Sequence, residues 1–136
     1  LVTTAGLNDL LTQYFKGSAY TAAFYVGVTA ATPTFAAGDT MSSHGGWTES
    51  SAYSQATRPA LTLGTAASGS IDNSASKAQF SINADATIGG AFLSTNSTKG
   101  GTTGTLYGGG AFTEGNRVVK SGDTINVQAT LTAASA

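Results

Sequence analysis

Arg117-Val118-Val119-Lys120, then Ser121-Gly122-Asp123, then Thr124-Ile125-Asn126-Val127-Gln128-Ala129-Thr130-Leu131-Thr132 is the stretch on which the fold class turns. In its second half Ile125, Val127, Ala129 and Leu131 point one way, the period of two that marks a half-buried strand. Ser121-Gly122-Asp123 carries turn chemistry, so residues 116–120 and 124–132 are expected to pair as an antiparallel hairpin. The same alternation recurs at residues 21–29, where Phe24, Val26 and Val28 alternate with Ala23, Tyr25 and Gly27. Further strands are expected at residues 58–64, 78–83, 86–95 and 105–112, each bounded by Gly, Asn, Asp or Ser.

One segment follows a different period. Leu7, Leu10, Leu11, Tyr14 and Phe15 fall on one helical face, which predicts a helix over residues 4–16. Thr3 or Thr4 can cap its start, and Gly17 sits where a left-handed residue closes a helix. Its apolar stripe is expected to plug one end of its own domain, with docking onto a neighbouring subunit as the alternative. Strands at roughly ten-residue spacing, with no second helix to cross over between parallel ones, imply an antiparallel β-sandwich. The expectation is a mainly β single domain over residues 1–136, jelly-roll-like before immunoglobulin-like, with an N-terminal arm and one short α-helix at residues 1–17.

Composition agrees with short strands and tight turns: Gly occupies 18 of 136 positions, against a norm of about 7%. Charged residues make up 10% of the chain and balance to −1, with six scattered Lys and Arg, so no basic surface for direct nucleic-acid binding is expected. Cysteine is absent, which rules out disulfides and thiolate metal sites. No apolar run approaches a membrane span of about 18 residues, and Leu1-Val2-Thr3-Thr4 lacks the layout of a signal peptide. A first residue other than Met suggests a processed or trimmed start.

Groups for catalysis are scarce. A hydrolytic triad would have to join His44, the one histidine, to Asp39 or Glu49 and a serine, with no Gly-x-Ser-x-Gly elbow present. Asp9, Asp39, Asp72, Asp85 and Asp123 are dispersed and read as turn residues, so neither a metal site nor a cofactor is expected. Gly108-Gly109-Gly110 lacks the spacing of a dinucleotide fingerprint and reads as a place where another backbone comes close. Asn96-Ser97-Thr98 matches the glycosylation triplet, a chance occurrence in so Ser- and Thr-rich a chain. Residues 30–55 read as a long loop, of the kind that is usually functional or interfacial, and residues 94–104 as a mobile one. Trp47 is either folded beneath its loop or an interface anchor. Tyr20, Tyr25, Tyr53 and Tyr107 are either packing residues or a sugar-binding face. No enzyme is expected; the candidate contact residues are Leu1, Val2, Thr3, Thr4, His44, Trp47, Tyr53, Asn96 and Lys99.

Several segments carry a likeness: Val2-Thr3-Thr4-Ala5-Gly6-Leu7, Tyr25-Val26-Gly27, Ala37-Gly38-Asp39-Thr40, Thr57-Arg58-Pro59-Ala60, Asp72-Asn73-Ser74-Ala75, Ile88-Gly89-Gly90-Ala91-Phe92 and Ser121-Gly122-Asp123-Thr124. In these the chain resembles small virion structural proteins of tailed bacteriophages, which serve as capsid decoration or cement proteins or as fibre and tail-appendage parts. The resemblance implies a passive, many-copy binder on the particle surface, with the major capsid protein or other virion proteins as partners. Self-association into a homo-oligomer is expected too. A fibre or tail-tip component touching the host, and a carbohydrate-binding sandwich using Tyr and Trp, are the alternatives.

Overall fold

In a computed structural model, which describes residues 1–17 and 22–135, the alternating segment around Val26 forms β1 (Tyr25–Ala30). Thr21, the expected start of that strand, and Tyr20 lie outside the described residues. The other strands are β2 (Ser70–Asp72), β3 (Ala78–Ser81), β4 (Ala86–Ser94), β5 (Leu106–Ala111), β6 (Arg117–Val119), β7 (Thr124–Val127) and β8 (Thr130–Thr132). With the helix α1 (Thr4–Phe15) they make a mainly β molecule in which every strand pair is antiparallel. One sheet runs β1-β4-β5, with β6 also on β4; two small sheets pair β2 with β8 and β3 with β7.

The large sheet is buried on both faces. Val26 and Val28 stand opposite Leu93 and Ala91, and on that face they share one core with Phe80 and Ala78 of β3, Val127 of β7, Ile82, Ile88 and Tyr53. On the other face Phe92 lies between its cross-strand neighbours Gly27 and Gly109. The rings of Phe92 and of Phe35 fit there only because both neighbours lack a Cβ. One built on Gly27 would fall 2.1 Å from the Phe92 ring, and one on Gly109 would fall 2.3 Å from the Phe35 ring. Phe35, Met41, Trp47 and Leu106 complete this second core with Phe92.

Several expectations need correction. The hairpin at residues 116–132 does not form. Its turn exists, with Gly122 at φ +97° and the Asp123 carboxylate accepting from Lys120 N at 2.8 Å, but β6 continues on β4 while β7 pairs with β3. The turn is a corner between sheets. Residues 124–132 are not one strand, because the chain changes partner from β3 to β2 between β7 and β8. The buried Asn73 side chain fills that break, donating to Val127 O at 3.1 Å and accepting from Ala129 N at 2.8 Å. Residues 58–64 run beside β1 without becoming a strand. Val26 N donates to Pro59 O and Leu61 N to Phe24 O, but Pro59 has no N–H with which to extend the ladder. β2 was not expected; it ends in the Asx turn that was, where the Asp72 carboxylate accepts from Ser74 N.

Candidate functional site

α1 begins where the sequence says it should. The Thr3 hydroxyl accepts from Gly6 N at 3.0 Å and donates to Leu106 O, and Thr3 N donates to Tyr107 O at 2.9 Å. Gly17, at φ +58°, follows the last turn. What the sequence does not show is which side of the helix meets the body. Gly6 is the buried residue of α1, and a Cβ there would lie 2.4 Å from Tyr107 O, so the helix rests on β5 through its smallest residue. This contact turns the apolar stripe outward. Leu7, Leu10 and Leu11 are 46% to 54% exposed, Tyr14 is 76% and Phe15 is 74%. The stripe does not plug the domain; it forms a ridge in solvent, against roughly 1.5–3 kcal/mol of stabilisation that burying each such side chain would give.

Beside the ridge runs a groove of about 740 Å³. Leu10 and Tyr14 form its helical wall, and Phe24, Leu63, Ile71 and Leu131 are among the side chains of the body that line it. Asp9 is its one charged lining residue among those described, and Gln13 donates to the Asp9 carboxylate at 3.4 Å. Tyr107 lies within, edge-on to Phe24 at 5.7 Å between centroids. Burial, reinforced by the negative charge of Asp9, raises the Tyr107 phenol above its ordinary pKa.

The two long loops behave in the opposite way. Arg58 is 1% exposed, and its guanidinium makes a bidentate pair with Glu49 at 2.7 and 2.8 Å while donating to Asn96 O and Gly101 O. Thus one side chain fastens residues 30–55 to residues 94–104, with its charge 5.1 Å above the Phe92 ring. The stretch expected to be mobile is tied further by Asn96, which donates to Thr103 O and Oγ1 and accepts from Thr98 N. Lys99 donates to Tyr53 O at 2.8 Å and caps the Tyr53 ring at 4.2 Å. Burial above all raises the Tyr53 phenol far above its usual range, and its hydroxyl has no hydrogen-bond partner among the described residues.

Most residues expected at an interface therefore point inward. Thr3, Trp47 and Tyr53 are buried, and His44, Asn96 and Lys99 are half-buried. Trp47 is folded beneath its loop, stacked on His44 at 3.7 Å and packed against Phe35 and Phe92. Leu1, Val2 and Thr4 are exposed. Among the described residues the groups of a triad are not gathered either. Asp39 accepts from the Trp47 indole and from Ala36 N, Glu49 is held by Arg58, and His44 Nδ1 meets Trp47 O. Gly108 does bring backbones together, as its place in the glycine triplet suggested: a Cβ there would lie 2.3 Å from Leu1 O. Among the described residues no three His, Cys, Asp or Glu side chains cluster as metal ligands, and no helix is long and apolar enough to cross a membrane. The sequence matches no protein-family model and no curated protein.

Proposed function

We propose that this chain is a non-enzymatic structural subunit of a tailed-phage virion, of the capsid-decoration kind, that works by being held against its neighbours. The observation carrying the assembly half of this proposal is the ridge of α1. Five large exposed apolar side chains lie side by side along a helix that is seated on β5 through Gly6. A contiguous exposed patch on this scale marks an interaction surface. The virion half rests on the resemblance of the segments around Val2, Arg58 and Ile88 to particle proteins. The layered sheets are a β-sandwich in this proposal, jelly-roll-like in preference to immunoglobulin-like. Major-capsid subunits or other virion proteins are the partners, and the particle surface is the location.

Support also comes from charge. With a balance of −1 and 10% charged residues, attachment draws on apolar burial and main-chain hydrogen bonds, since exposed ion pairs contribute only about 0–1 kcal/mol each. Attachment should then survive salt: at about 1 M the screening length falls to ~3 Å. The test is to locate the chain in purified particles, wash them at that ionic strength, and measure how much remains. Absence from the particle, or release by salt alone, would defeat the proposal. A carbohydrate-binding module has one observation in its favour, the presence of Tyr14, Tyr107, Asp9 and Gln13 around a single groove. Glycan binding abolished by Tyr107→Ala would put that function in place of the first.

A further inference from the structure

We infer that the ridge of α1 is covered by a second copy of this chain, seated ridge into groove across a two-fold axis. Each molecule carries both halves of the contact. Leu10 and Tyr14 line the groove, whereas Leu7, Leu11 and Phe15, displaced around the helix, do not; the helix is one wall of the groove and its apolar stripe is the crest of that wall. A convex apolar ridge thus runs alongside a concave apolar channel. A two-fold axis along their shared boundary lays each ridge in the other copy's channel, the isologous arrangement by which most homodimers close. The inference rests on the ridge being an assembly surface, not on where the assembled protein resides.

Area and charge favour the same occupant. Two aromatic and three leucine side chains at these exposures present on the order of 600 Å² of surface. With the walls of the groove this approaches the ~800 Å² that each partner gives to a standard interface. Among the described residues that line the channel Asp9 is the one that is charged, so an apolar occupant suits it, and the ridge is apolar. A net charge of −1 sets up almost no repulsion between copies.

The two-fold arrangement makes a prediction that simple stickiness does not. Phe15→Asp spoils the ridge alone, and Leu63→Asp spoils the groove alone. In either homodimer both contacts are damaged. Mixing the two variants leaves one intact contact, the ridge of the Leu63 variant in the groove of the Phe15 variant. Sedimentation of the purified full chain over a range of concentrations should show a wild-type dimer and, for each variant alone, association weakened by at least about thirtyfold. The equimolar mixture should associate more tightly than either variant. Leu11→Asp and Leu131→Asp form a second pair, and thermal unfolding identifies any variant that has not folded. A wild type that stays monomeric overturns the inference, as does a mixture no tighter than its components, which would indicate ridge on ridge. A monomer that still joins particles through Phe15 would overturn it and leave the virion role standing. A dimer that never joins particles would uphold it and remove that role.

Discussion

In α1, three leucines, Tyr14 and Phe15 stand in solvent on the most regular backbone of the chain, whereas residues 30–55 and 94–104, which contain no helix and almost no strand, bury Trp47, Met41, Tyr53 and the whole of Arg58. Regularity and burial have come apart. A helix satisfies its own backbone whatever its side chains meet, so α1 can persist with its apolar face uncovered. An irregular segment has no such independence and must find partners for its backbone groups, which here come from Arg58, Asn96, Glu49 and Lys99. The loops belong to the core, and the helix leaves its apolar stripe in solvent.

The sharpest way to break this contrast is to cut one large aromatic from each region. Trp47→Ala removes a ring packed between His44, Phe35 and Phe92 and should lower unfolding free energy by about 3–5 kcal/mol in urea titration. Phe15→Ala, at 74% exposure, should cost less than about 1 kcal/mol in dilute protein. Equal losses would mean that the helix, too, is part of the core.

A second test goes to the ion pair that closes the loops. Glu49→Gln leaves the Arg58 guanidinium buried with only carbonyl acceptors, and breaking such a pair from one side typically costs about 3–5 kcal/mol. Hydrogen exchange should show Gly101 and its neighbours opening together with residues 48–50. If the loops open separately in the wild type, Arg58 is not what joins them.

Tyr53 sharpens the comparison from within the core. Its hydroxyl is buried without a partner among the described residues, so Tyr53→Phe should raise stability by about 1 kcal/mol at neutral pH. The folded state holds the phenol proton above the ordinary value of 10.0, mainly through burial. Stability from this group is therefore fully present below pH 10.0 and drains away as pH climbs beyond it, because the unfolded chain ionises first. Alkaline unfolding monitored by circular dichroism should begin at higher pH in Tyr53→Phe than in the wild type.

These differences also mark how far the sequence could be read. Local features were legible: the Thr3 cap, the Gly17 stop, the alternation around Val26 and the Asp72 and Asp123 turns each depend on neighbours a few residues away. The loops were not, since Arg58 finds its acceptors 9, 38 and 43 residues distant and nothing in Thr57-Arg58-Pro59 announces them. The corner at residues 120–123 misled because its chemistry suits a hairpin and a sheet change equally. The orientation of α1 was hidden for another reason. A 3.6-residue stripe says that a face needs covering, but Gly6 meeting the Tyr107 backbone decides that the cover is not this molecule's own core.

The smallest expected effect bears most directly on that last point. Leu11→Gln replaces an apolar crest residue with a polar one of similar length on a helix that tolerates both, so the dilute protein should unfold within about 0.5 kcal/mol of wild type. A ridge covered by another copy adds a term that dilution removes. Association stabilises the folded state by mass action, so wild-type Tm should climb with protein concentration, while that of Leu11→Gln should stay nearly flat and meet the wild-type value at the dilute end. Scanning calorimetry across a dilution series separates the two contributions without any assay of function. Parallel curves offset by a constant amount would place Leu11 in the core of the monomer; a flat wild-type curve would leave the ridge with no second copy upon it.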